Sequence, residues 1–292
     1  MQFTMYSRFN QTLAKLGAQA TADYAANLGF SSVEVLEVPS PGHPSAIPDR
    51  ETAKNVRKAL AERGLTVACY SVGTCVYRSP EAEESLKYQA EIAAELGSPF
   101  LHHTLLPWLK KTADLPAFDE ALEITADAAA RIANYAAPLG VTCLYEDQGL
   151  YANGAAGFGS FYREIKNRTA NVGVCGDVGN VLFVDESPIS FFREFIGEIR
   201  HVHIKDAVRN ENDEPECVCI GTGWVDYPGL IRALSADGYD GWMSLETHYR
   251  LGAAISEELM TRPGGAAFSE GGMGATAESA AALRKLVEEN CV

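Results

Sequence analysis

The sequence predicts a single (β/α)8 barrel of the α/β class spanning residues 1–292, and three observations predict it. Short β-like runs alternate with helical patterns along the whole chain. A glycine closes one helix after another. No Gly-rich phosphate loop opens a helix, as a doubly wound open sheet would usually require. The length suits one such barrel.

The strands come in order as Phe3–Tyr6, Ser32–Leu36, Thr66–Ser71, Phe100–Thr104, Thr142–Glu146, Val172–Asp177, His201–Lys205 and Trp242–Glu246. Several are continuously apolar and rich in β-branched or aromatic residues, the pattern of parallel strands covered on both faces. Helices fill the gaps. Asp49–Arg63 carries apolar or small residues at Ala53, Val56, Ala59 and Leu60 and stops at Gly64. Pro80–Leu96 stops at Gly97, and Phe118–Leu139 stops at Gly140. A residue without a Cβ suits the left-handed turn that ends a helix. Asn27-Leu28-Gly29 gives the same signal near the start. Eight βα units with right-handed crossovers close most naturally into a barrel.

Two connections exceed ordinary loop length: Ala207–Gly223 after the seventh strand and Thr247–Ala275 after the eighth. Both fall on the face formed by the strand C-termini, where lids and specificity loops are built; a subunit-contacting insert is the other reading.

Composition narrows the function. Apolar residues make up 47% of the chain and charged residues 22%, as in a soluble globular protein. No run of eighteen apolar residues offers a membrane span, and the N-terminus lacks a basic stretch followed by an apolar one, so no signal peptide is expected. The seven cysteines are scattered, with no CxxC or zinc-finger spacing, which points to reduced thiols in the cytoplasm. A net charge of −15 repels DNA and acidic membranes, so neither is an expected partner.

The chemistry lies at the ends of the last four strands. They finish at Glu146, at Asp177, at His201 or His203, and at Glu246. In a barrel these ends are neighbours facing one opening, and three carboxylates gathered there repel one another unless a cation or protons neutralise them. An oxygen-rich set with one imidazole suits Mn²⁺, Mg²⁺ or Co²⁺ better than structural zinc. Each residue alone has a plainer reading: a strand-end acid is more often a helix cap, one of the two histidines a core residue, and Lys205–Asp206 a local ion pair. The joint pattern on four consecutive strands outweighs these.

Five stretches carry a resemblance: Tyr145-Glu146-Asp147, Gly176-Asp177-Val178-Gly179-Asn180, His201-Val202-His203-Ile204-Lys205-Asp206, Gly221-Thr222-Gly223-Trp224-Val225-Asp226-Tyr227 and Gly241-Trp242-Met243-Ser244-Leu245-Glu246. The chain resembles the xylose-isomerase-like barrels, sugar phosphate isomerases and epimerases that include ketose 3-epimerases. The resemblance is sharp from about residue 140 to 250. It implies one divalent metal, Mn²⁺ first and Mg²⁺ or Co²⁺ next, on Glu146, Asp177, His203 and Glu246. It implies that Glu146 and Glu246 are also the proton-transfer pair on opposite faces of a sugar. It places a substrate contact at Arg209. Where many members carry histidine after the sixth strand this chain has Asn180, which still hydrogen-bonds substrate but does not titrate near neutrality.

His103 and Trp108, beyond the fourth strand, are further candidate substrate contacts, with Tyr6, Glu37 and His102 on the same face. Alternation along a strand lets at most one of His102 and His103 face the opening. The expected reaction is proton abstraction beside a carbonyl through a metal-stabilised enediolate, giving an epimer or an isomer. The first rival is a metal-dependent lyase or dehydratase on a keto-sugar or keto-inositol, including 3-oxo-sugar C-glycoside elimination as one subunit of a complex. An abasic-site endonuclease is disfavoured by the acidic charge and only six histidines. A non-catalytic binding barrel is less favoured with both glutamates kept. The expected partner is a small sugar or sugar derivative, and homo-oligomerisation is left open.

Overall fold

The computed structural model describes residues 1–6, 13, 17–37, 45–108, 111, 113, 115–211, 215–246 and 270–291. Eight parallel strands close into a barrel: β1 (Gln2–Met5), β2 (Ser32–Glu37), β3 (Thr66–Cys75), β4 (Phe100–Thr104), β5 (Thr142–Glu146), β6 (Val172–Asp177), β7 (Ile199–Ile204) and β10 (Trp242–Leu245). Consecutive barrel strands are hydrogen-bonded neighbours, and β10 closes on β1 with Gln2 opposite Trp242. Around them run α1 (Ala18–Asn27), α2 (Arg50–Ala61), α3 (Pro80–Leu96), α4 (Phe118–Ala136), α5 (Gly154–Lys166), α6 (Pro188–Phe195), α7 (Tyr227–Ala236) and α8 (Glu270–Asn290).

The helix limits follow from local chemistry. Asp49 and Ser79 cap α2 and α3 by accepting from the Thr52 and Ala82 N–H groups. Gly97 ends α3 at φ 74°, a left-handed turn that a side chain would strain. The stretch read as one helix to Leu139 gives up its α geometry at Ala136 and finishes as a 3₁₀ turn over Ala137–Leu139. Pro138 has no N–H to continue the ladder.

The apolar core lies mainly between the strands and the helices, where Val174, Phe158, Phe191 and Phe192 are buried. The barrel interior is filled differently. Cys69, Leu144 and Cys175, with Phe100 against them, form a small apolar plug of their own. Polar side chains pointing inward occupy the rest of the interior, as the two-residue period of a strand allows.

The long connection after the seventh barrel strand is described except for residues 212–214. It forms an antiparallel hairpin of β8 (Asp206–Arg209) and β9 (Pro215–Val218). Asp206 ties the returning chain down: its carboxylate accepts from the N–H groups of Ala207, Gly221, Gly223 and Val225 at 2.9–3.2 Å. A Cβ on Gly223 would stand 2.3 Å from Asp206 Oδ1, so only glycine fits there. The other long connection lies outside the described residues from 247 to 269, and α8 already begins at Glu270, within the stretch read as loop. Among the described residues no helix is long and apolar enough to cross a membrane.

Candidate metal centre

Four strand ends bring Glu146, Asp177, His203 and Glu246 together, each buried, with one donor atom apiece lying within 4.8 Å of the others. His203 Nδ1 stands at their centre, 3.1 Å from Glu146 Oε1, 3.5 Å from Glu246 Oε2 and 3.9 Å from Asp177 Oδ2. The Tyr6 ring stacks on the imidazole at 4.7 Å and 18° and fixes its plane. Asp177 Oδ1 accepts from the Gly179 and Asn180 N–H groups, which leaves Oδ2 for the cluster.

Lys205 enters the same cluster. Rather than pairing with Asp206, its ammonium lies 2.8 Å from Asp177 Oδ2 and 3.3 Å from Glu246 Oε2. Its alkyl stem passes over Gly179, where a Cβ would come within 2.7 Å of Cγ. Burial opposes the charge, yet Asp177, Glu246 and Glu146 hold the lysine pKa well above its usual value.

One ammonium does not balance three carboxylates. Burial, and Glu146 and Glu246 beyond it, push Asp177 well above the ordinary carboxyl range even with Lys205 beside it. Burial would lower the His203 pKa, but Cys175, Glu34 and Glu146 outweigh it and raise it well above the usual imidazole value. Glu146 moves the other way: burial raises it, but His203 and His102 hold it well below the usual range. Asp177 and His203 both shift toward keeping a proton, so the cluster is short of cations. A divalent ion would supply the missing charge, and an oxygen-rich set with one imidazole is a donor set such an ion accepts. The residues therefore fit such an ion.

Beneath the cluster lies a second layer that sequence reasoning missed. Glu34 on β2 is fully buried. It contacts His203 Nε2 at 3.1 Å and His201 Nε2 at 2.5 Å, and accepts from Ser71. The signal was present: an acid inside the apolar run Ser32-Val33-Glu34-Val35-Leu36. Asp147 is also buried and accepts from the Asp177 N–H at 2.8 Å.

The remaining predicted residues divide. Asn180 joins the site, donating to Glu146 Oε1 at 3.0 Å. His103 does not. It is turned away from the opening, its ring edge-on to Tyr145 at 5.1 Å. Its neighbour His102 faces inward, with Nε2 3.4 Å from Glu146 Oε2. Trp108 is half-buried at the rim, edge-on to Tyr77. Arg209 lies on β8, 3.7 Å from Asp185 and over the Trp224 ring. Glu37 accepts from the Ile47 N–H at 2.9 Å and serves the loop after β2. A cavity of about 320 Å³ lined by Phe100, Arg200, Tyr239 and Trp242 sits at the opposite, N-terminal mouth, away from this chemistry.

The position of His103 gives a pH prediction. Burial drops its pKa from 6.5 to about 4, so the unfolded chain takes up that proton first. Its stabilising contribution is complete above pH 6.5 and disappears as pH falls toward 4, a loss of roughly 3 kcal/mol. His103→Phe is expected to shallow the fall in Tm between pH 7 and pH 4. Identical slopes for variant and wild type would contradict it.

Comparison with known proteins bears on the family and the fold. The family model described as xylose isomerase-like TIM barrel matches residues 22–286. A ketose 3-epimerase of Arthrobacter globiformis is 29% identical over 210 residues, covering 68% of this chain and 68% of that protein. An inosose dehydratase of Geobacillus thermodenitrificans (strain NG80-2) is 24% identical over 218 residues, 66% of this chain and 72% of that one. The solved structure of an L-ribulose 3-epimerase superposes with a TM-score of 0.76 at 20% identity, over 99% of this chain and 95% of the other, a likeness of fold.

Proposed function

The chain belongs to the xylose isomerase-like TIM-barrel family, and from that premise we propose that it is a divalent-metal-dependent sugar isomerase or epimerase. The observation that carries this reading is the convergence of Glu146, Asp177, His203 and Glu246 around His203 Nδ1. These four residues would hold the ion, Mn²⁺ first, with Mg²⁺ and Co²⁺ as alternatives. When bound, it supplies Lewis-acid stabilisation to the negative charge that develops on substrate oxygens.

The chain's own groups do the rest. Glu146, kept ionised by His203 and His102, takes the proton beside the substrate carbonyl from one face. Glu246 returns a proton from the other face, which inverts the carbon. Return at the neighbouring carbon isomerises instead. The Asn180 amide, already on Glu146 Oε1, is placed to donate to a substrate hydroxyl. Trp108 and Arg209 at the rim would contact the more distant part of the sugar. In this reading His102 replaces His103 as the histidine on the substrate side. The seven free thiols suit a cytoplasmic setting.

One observation favours a second reading. The Lys205 ammonium lies beside Glu246, and an inosose dehydratase is among the relatives. A glutamate would remove the proton, the C–O bond of the β-hydroxyl would break, and Lys205 Nζ would give the departing hydroxide its proton, releasing water.

Elemental analysis of the purified protein tests the metal, and incubation in D₂O with ketoses and with keto-inositols tests the reaction. About one Mn, Mg or Co per chain with solvent deuterium entering a ketose supports the epimerase. Water loss from a keto-inositol supports the dehydratase. No metal after reconstitution would overturn both.

A further inference from the structure

Glu34 is used by none of these steps, yet it is fully buried inside the barrel. Three groups converge on its carboxylate: Ser71 Oγ and His203 Nε2 on Oε1, and His201 Nε2 on Oε2. The Ser71 hydroxyl also lies 3.2 Å from His102 Nδ1, and His102 Nε2 lies 3.4 Å from Glu146 Oε2. Glu146 Oε1 in turn meets His203 Nδ1 at 3.1 Å. The contacts close into a ring running Glu34, Ser71, His102, Glu146, His203 and back to Glu34.

A carboxylate only accepts hydrogen bonds, so every contact on Glu34 must bring its own hydrogen. His203 then carries a proton on Nε2, so Nδ1, the edge facing Glu146, Asp177 and Glu246, is the nitrogen left to give its lone pair to an ion held among them. Ser71 turns its hydroxyl hydrogen to Glu34 and receives one from His102 Nδ1. The ring is thereby held with its Nε2 edge toward Glu146 Oε2. Stacking on Tyr6 fixes the plane of the His203 ring but does not decide which nitrogen holds the hydrogen. That choice needs a polar partner on one edge, and Glu34 is that partner.

We propose that Glu34 is the positioning residue of the metal site: its carboxylate selects the tautomer in which His203 presents Nδ1 as ligand, and through Ser71 it aims His102 Nε2 at Glu146. The proposal rests on the reading of Glu146, Asp177, His203 and Glu246 as the metal site. A carboxylate on the far nitrogen makes a ligating imidazole more basic and limits its rotation.

The test is Mn²⁺ binding by calorimetry on the full chain, comparing wild type with Glu34→Gln and Glu34→Asp. It is paired with long-range ¹H–¹⁵N spectra of the wild-type imidazoles with diamagnetic Zn²⁺ bound. Glu34→Gln is expected to bind Mn²⁺ about 10–100-fold more weakly. Glu34→Asp should recover part of that loss, and the metal-free Glu34→Gln variant should still unfold cooperatively. The spectra should show the His203 proton on Nε2 and Nδ1 as the ligating nitrogen. Wild-type affinity in Glu34→Gln, or a proton on Nδ1 with Nε2 ligating, overturns the proposal. If Glu34→Gln does not fold, the wild-type spectra decide alone. If wild type binds no metal, it is the metal-site reading that has failed, and this proposal falls with it.

Discussion

His203→Ala is expected to abolish metal retention. The imidazole is the single nitrogen in the donor set, and its Nδ1 is the atom the three carboxylates surround. Losing a ligand should weaken binding by more than the roughly 10–100-fold that losing an outer partner costs. The comparison that isolates the effect is Tm with and without Mn²⁺. At a free-ion concentration 100 times Kd, wild type gains about 2.7 kcal/mol from binding, whereas the variant should gain almost none. The metal-free variant also loses the Tyr6 stacking partner and one donor to Glu34, so its Tm without metal serves as the baseline. A variant with wild-type metal content and a wild-type Mn²⁺ shift would remove His203 from the site.

Glu146→Gln and Glu246→Gln should each lower kcat by about 10²–10⁴-fold, the usual contribution of a positioned proton-transfer group. Glutamine keeps the length of the side chain and one carbonyl oxygen but gives up the base. The two variants should differ in kind. If the glutamates serve opposite faces of the substrate, each variant still exchanges solvent deuterium into one epimer while failing to convert it to the other. Mass spectrometry of each sugar recovered from D₂O reads this directly. Equal loss of exchange from both epimers in both variants would mean that the two residues only bind the ion. The asymmetry in their surroundings bears on which is the stronger base: both meet His203, but Glu146 adds His102 and Glu246 adds Lys205.

Much of the barrel is visible in the chain because its signals are local. Gly97 and Gly140 mark helix ends since a left-handed turn rejects a Cβ. Strands β4, β5 and β6 match the stretches read from apolar runs, because a strand covered on both faces needs little else. Strand β7 starts two residues earlier than read, at Ile199, because that residue pairs with Val174. Only its neighbour in the barrel, far off in sequence, reveals that.

The sequence by itself determined the eight βα units, the net charge of −15 and the four strand-end residues of the candidate site. Period-2 alternation also put His201 and His203 on one face. Only the tertiary structure decided that His102 and not His103 looks inward. Both faces of β4 are buried, so Phe100-Leu101-His102-His103-Thr104 carries no polar–apolar contrast to set its phase. The same holds for Lys205, whose sequence neighbour Asp206 is an obvious partner until the hairpin claims that carboxylate for four N–H groups. Glu34 is separated from His201 and His203 by 167 and 169 residues. An acid in an apolar strand shows in a sequence, but the base that justifies burying it is chosen by barrel closure, which brings distant strands to share one interior.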